Sequence, residues 1–120
     1  WRSLLGTGIV VPNGSDFPVE AVNPLLSFHS AVSRQDAANW PAGGWHPEQR
    51  MTRDEALKAM TIWPAYAAFQ EGIMGSLSPG KLADFVVLDR DIMTVADSDI
   101  LGTAVLTTYI GGKPVYERPR

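Results

Sequence analysis

Residues 8–20 read GIVVPNGSDFPVE. Ile9-Val10-Val11 is a β-branched run with no polar alternation, the pattern of a strand covered on both faces, as in a parallel sheet. Pro12 cannot donate to a sheet ladder, so it belongs near the strand's end. Ahead of the run, Trp1-Arg2-Ser3-Leu4-Leu5-Gly6 reads as the last turns of an amphipathic helix stopped by glycine. Helix end, glycine turn and buried strand make the αβ half of a repeating α/β unit. With no initiator methionine and no cap ahead of that helix, the sequence is expected to be a fragment of a longer protein.

The bulk numbers narrow the classes. The 120 residues suit one modest domain, and 45% hydrophobic with 19% charged residues is an ordinary globular composition. The formal charge is −3, and no run of Lys or Arg occurs, so nucleic acid is not expected as a partner. No cysteine is present, which excludes disulfides, thiolate zinc sites and cysteine nucleophiles. No apolar stretch approaches the roughly 20 residues that span a bilayer, so no membrane is expected as a partner. Compartment is not legible.

Beyond residue 20 the pattern turns helical. Asn23 can cap and Pro24 suits the first helical position, with Leu25, Leu26, Phe28, His29 and Val32 clustered on one side and an end expected between Arg34 and Asp36. Residues 39–47 hold Trp40 and Trp45 among Pro and Gly, the composition of an ordered loop. Thr52-Arg53-Asp54-Glu55 fits a capping box. The helix it starts uses Ala56, Ala59, Met60 and Trp63 as its apolar face and is expected to break at Pro64, with a second short helix over residues 65–70. Strands are expected over residues 84–89, 104–110 and 113–117, with Gly111-Gly112 as a tight hairpin. Three strands and two helices make a thin domain whose sheet lacks a partner layer.

Two segments together resemble a family. GSDFPVE (residues 14–20) directly after a buried strand, followed by GSLSPGKLADFVVLD (residues 75–89), is similar to the C-terminal part of metal-dependent amidohydrolases, in the branch that includes N-substituted formamide deformylases. GGWHPEQRMTRDEAL (residues 43–57) and YIGGKPVYE (residues 109–117) follow the family's order, so the resemblance covers essentially the whole chain. It implies an α/β fold: the C-terminal fragment of a (β/α)8 barrel over residues 1–74, with the last barrel strand at residues 8–15, and over residues 75–120 strands of an adjoining β-sandwich. The missing partner strands would come from an N-terminal part of the same protein.

The resemblance also implies a chemistry. In this family the aspartate after the eighth strand binds a divalent metal, zinc being the expected one, and takes the proton of the attacking water before passing it to the leaving amine. Asp16 is the matching residue, expected as both catalytic residue and metal ligand. Barrel enzymes draw catalytic groups from strand C-termini because the rigid backbone holds them there. An ordinary carboxyl is a poor base near neutrality, so the expected role depends on a metal-lowered water pKa. Gly14 and Ser15 are expected to turn the backbone out of the strand and Pro18 to stiffen its exit.

Each assignment has a plainer counterpart. An aspartate after a strand is commonly a turn former or cap. His29 and His46 lack the HxH or HExxH spacing of a metal site. His29 is expected to be packed or hydrogen-bonded on its helix. Phe17, Pro18, Trp45 and His46 are the candidate substrate-pocket residues. Trp40, Trp45 and Trp63 fit core packing or an aromatic pocket wall. Lys81 sits in a turn and is read as structural.

The family's other ligands, an HxH, a mid-barrel bridging residue and further histidines, are absent from this sequence. The chain alone is therefore expected to bind no metal and to be inactive. The whole protein is expected to act on a small amide-type substrate at a carbon–nitrogen bond other than a peptide bond. A non-catalytic scaffold, or other chemistry such as deamination, remains open. Exposed apolar strands would favour a homo-oligomer or swapped dimer of the isolated chain.

Overall fold

The computed structural model describes residues 1–119. Helix α1 spans Arg2–Leu5 and ends at Gly6, whose N–H bonds the Arg2 carbonyl at 2.9 Å. The apolar run that follows has no ladder among the described residues. Its end is fixed differently: the Asn13 N–H donates to the Ala59 carbonyl at 2.8 Å. A strand needs a neighbour, and none lies beside this run within these residues.

Helix α2 spans Pro24–Ser33. Asn23 caps it, accepting from the Leu25 N–H at 3.0 Å, and Pro24 fills the first position, where a missing N–H costs nothing. Arg34 closes it with a left-handed backbone, φ 59°. Leu25, Phe28, His29 and Val32 are buried, the i, i+3, i+4, i+7 stripe read from the sequence.

The loop after α2 is ordered by its own polar groups. The Gln35 amide donates to the Asn39 and Pro41 carbonyls at 2.8 and 3.0 Å, and Arg50 donates to those of Ser33 and Gly43 at 3.2 and 2.6 Å. Gly44 has φ 84°, and a Cβ there would collide with the Ser33 carbonyl oxygen, so only glycine fits.

Helix α3 spans Arg53–Met60 behind a complete capping box: Thr52 Oγ1 accepts from the Glu55 N–H at 3.2 Å, and the Glu55 carboxylate from the Thr52 N–H at 2.7 Å. The break expected at Pro64 comes earlier, at Thr61, whose φ of −127° and ψ of −87° are not helical. Helix α4 then spans Ile62–Ala67 with Pro64 in its first turn. An N–H there would have no intrahelical acceptor, so proline is tolerated rather than breaking.

One antiparallel sheet has the order β1-β2-β3, built from Phe85–Leu88, Val105–Ile110 and Lys113–Glu117. Gly111 and Gly112 take φ of 56° and 75°, the two positive values that a two-residue hairpin needs. Phe85 and Tyr109, paired across β1 and β2, stack with ring centroids 4.5 Å apart. Apolar side chains remain in solvent on this sheet, including Val86, Ile110 and Val115, 50%, 59% and 58% exposed.

The core lies in the helical part. Leu25, Phe28, Ala31 and Val32 of α2 meet Met51, Ala56 and Ala59, and Ile92 and Ile100 enter from the segment between β1 and β2. Arg53 holds that segment, donating to the Ile92 carbonyl, to the Val95 carbonyl at 2.6 Å, and to Asp97 at 2.6 Å. Trp63 packs against the core, whereas Trp40 and Trp45 do not: they are 69% and 62% exposed, because their loop lies on the surface.

Glu55 has a second partner. Arg2 of α1 grips its carboxylate with two bonds of 2.6 and 2.5 Å. These bonds, with help from Thr52 and against the cost of partial burial, lower the Glu55 carboxyl from 4.5 to about 2. Because the folded value is depressed, the stabilisation is complete above the ordinary carboxyl pKa and is lost as pH falls from about 4.5 toward 2. Urea midpoints across this window should show a loss of about 1–2 kcal/mol, after solvent screening around the half-exposed Arg2, that Glu55→Gln largely removes. An equal acid loss in Glu55→Gln would refute the assignment.

Candidate active site

Asp16 opens a turn over residues 16–19, closed by the Val19 N–H donating to the Asp16 carbonyl at 2.8 Å. Its own φ is 52°. The sequence pointed to Gly14 for the change of direction, but Gly14 is not in the left-handed region; Asp16 is. A short polar side chain tolerates that region better than most, so the carboxylate bearer also makes the bend. Asp16 is exposed and, among the described residues, takes part in none of the ion pairs.

Phe17 and Pro18 complete the turn, and both are exposed, Phe17 at 66%. The residues flanking the turn, Val11, Pro12, Asn13, Glu20 and Ala21, line a hollow of about 550 Å³ together with Leu26, Ser27 and Ser30 of α2. Asp16, Phe17 and Pro18 do not line this hollow.

Trp45 and His46 form a separate group. Their rings meet edge to face with centroids 4.5 Å apart, and His46 Nδ1 lies 3.0 Å from Glu48 Oε1. The Glu48 carboxyl is lowered, first by its own backbone N–H and then by His46. With Trp1, Leu4, Arg34 and Gln49 these two residues line a smaller hollow of about 350 Å³. The Arg34 guanidinium lies 5.1 Å from the Trp45 ring and 5.7 Å from that of Trp1, within cation–π range of both.

His29 is 1% exposed, with Nε2 at 3.0 Å from Asn39 Oδ1, the packed, hydrogen-bonded role expected of it. Lys81 Nζ donates to Ser76 Oγ at 2.8 Å across the turn before β1, a structural contact. Among the described residues no three His, Asp or Glu side chains converge on a point that could hold a metal. A metal centre takes three or four donors, so the described residues alone do not make one, and Asp16 could be at most one ligand of a site completed by other residues.

Sequence reasoning identified Glu55 as a cap but missed its grip on Arg2, and it passed over Arg34 between two indoles. A lone arginine carries no mark of which distant aromatic or carboxylate will meet it.

The comparisons with known proteins agree with this fold. Residues 1–116 match the family described as the amidohydrolase family. The chain is 43% identical over 116 residues to Protein LONG AFTER FAR-RED 3 of Arabidopsis thaliana, covering 97% of this chain and 19% of that protein. It is 38% identical over 117 residues to the N-substituted formamide deformylase of Arthrobacter pascens, covering 98% and 21%. The crystal structure of an amidohydrolase from Thermotoga maritima superposes with a TM-score of 0.62 at 28% identity, covering 98% of this chain and 25% of that one. The chain thus spans about a fifth of the length of these curated relatives. With 116 residues matched and an α/β fold like that of a solved member, the chain belongs to the amidohydrolase family.

Proposed function

We propose that this chain is the C-terminal part of a longer hydrolase that cleaves a carbon–nitrogen bond other than a peptide bond, in an amide, formamide or cyclic amide. In this reading residues 8–15 are the last strand of a barrel and β1 to β3 belong to an adjoining β-sandwich. The unladdered run and the half-exposed sheet support it, because each needs a partner that these residues do not contain.

Asp16 is the proton-handling residue. A divalent metal, zinc being the expected one, would lower the pKa of the attacking water so that an ordinary carboxylate can accept its proton, its other ligands coming from the rest of the longer protein. Water oxygen bonds to the substrate carbonyl carbon while Asp16 takes a water proton; the carbon–nitrogen bond then breaks and Asp16 returns the proton to the leaving nitrogen. A formamide yields formate and an amine. The observation that carries this reading is the exposed Asp16 carboxylate, unpaired among the described residues and held at a bend directly after the apolar run. A carboxylate already tied to an arginine would be a poorer acceptor.

The test is product release by the longer protein containing this chain, offered an N-substituted formamide, a cyclic amide and a dipeptide. Amine and formate formed in equal amounts from the formamide, or a single ring-opened product carrying both amine and carboxylate from the cyclic amide, with the dipeptide intact, is the expected result. No cleavage of any of the three would shift the assignment to a scaffold without chemistry.

A further inference from the structure

We infer that the longer protein lays a further strand along the free edge of β1, while the outer edge of β3 stays open to solvent. The occupant is a strand from the part of that protein outside these 120 residues. This rests on the reading of β1 to β3 as part of an adjoining sandwich and adds which edge is joined.

The ladder fixes which backbone groups each edge offers. Along a strand in an antiparallel sheet, successive residues bond alternately to one side and to the other. The Arg118 N–H donates to the Leu106 carbonyl at 2.8 Å, in register with the pairs Thr107 with Glu117 and Thr108 with Tyr116. Leu106 and Thr108 therefore bond toward β3. That turns Thr107 and Tyr109 toward β1, and their partners Val87 and Phe85 toward β2. Past the register shift after Val87 the alternation continues, because the Asp89 N–H donates to the Ala104 carbonyl at 3.0 Å. Val86 and Leu88 thus face away from β2, and among the described residues no strand lies there to meet them.

The two outer edges differ in kind. Phe85-Val86-Val87-Leu88 carries no charge and no proline, and Val86 is half-exposed. On β3, Lys113 pairs inward with Ile110 at the hairpin, so Pro114 faces outward, where it has no N–H to offer. Lys113 and Glu117 add charge along the same short strand, all of which is exposed. Proline and charge, lysine above all, are how sheets keep an edge from pairing. The β3 edge can therefore stay in water, whereas a bare β1 edge would be a site of aggregation. The chain spans about a fifth of the length of its curated relatives, so most of the longer protein lies outside it and can supply the strand.

Amide hydrogen exchange on the longer protein tests this without any substrate. The Val86 and Leu88 amides should exchange within about tenfold of Val87, which bonds toward β2, and about 10²-fold or more slower than the outward Glu117 amide. This protection should persist when the protein is diluted to its monomer.

Val86 and Leu88 exchanging as fast as Glu117 would overturn the inference. So would a slow Glu117, because β3 would then be a paired edge as well or instead. Protection that vanishes on dilution to the monomer would assign the edge to a second copy of the chain and overturn it too. Product release is read separately. Hydrolysis alongside fast Val86 and Leu88 amides would remove this inference alone, and slow amides in a protein that cleaves nothing would keep the strand and remove the chemistry.

Discussion

Replacing Asp16 with asparagine should lower kcat/KM of the longer hydrolase by roughly 10²- to 10⁴-fold, the range that a positioned acid–base group supplies. The choice of asparagine matters because Asp16 has φ 52°. Asparagine adopts that region at least as readily as aspartate and has nearly the same shape, so the turn survives and only the proton-accepting charge is lost. Asp16→Ala removes the charge but also favours leaving the left-handed region, mixing a chemical loss with a structural one. The two variants separate the roles. Equal losses in both, with unchanged Val19 amide exchange in Asp16→Asn, would assign the effect to the carboxylate. Full activity in Asp16→Asn would make Asp16 a turn residue and end its claim to the chemistry.

The second large effect is on stability. Phe28 of α2 is 0% exposed and belongs to the core cluster with Ile100, also 0% exposed. Phe28→Ala should cost about 3–5 kcal/mol, the sum of lost burial and the cavity left behind. Against a typical total of about 5–15 kcal/mol that is a large share, visible as a fall in the urea midpoint. Phe28→Leu should cost much less, because most of the volume stays. Tyr66, 56% exposed, is the control: Tyr66→Ala should stay within about 0.5 kcal/mol. A loss below about 1 kcal/mol in Phe28→Ala would contradict its burial.

Much of the local structure was legible in the sequence because its causes are local. Asn23-Pro24 marks the start of α2 because both residues act within one turn, and Thr52 with Glu55 marks α3 for the same reason. Gly111-Gly112 marks the hairpin because only a pair free to take positive φ closes it. The family was legible too, since its motifs are contiguous. Where two local signals competed, the reading slipped. Proline is a strong breaker signal, yet in the first turn of α4 the N–H that Pro64 lacks would have no intrahelical acceptor. Gly14-Ser15 is the local signal for the bend, yet Asp16 occupies the left-handed position.

The site was legible only as a position. Asp16 could be named from its place after an apolar run, but nothing within a few residues of it says what holds that run. The sequence by itself determined the helix caps, the hairpin, the α2 stripe and the family, all through contacts spanning a few positions or through contiguous motifs. Only the tertiary structure decided that Arg2 meets Glu55, that Asn13 is tied to Ala59, that Ile92 and Ile100 fill the helical core, and that Trp40 and Trp45 stay in solvent. These contacts join segments that are far apart along the chain. Which charge or apolar group meets which depends on how the whole chain closes, and an arginine or an isoleucine carries no local sign of its distant partner.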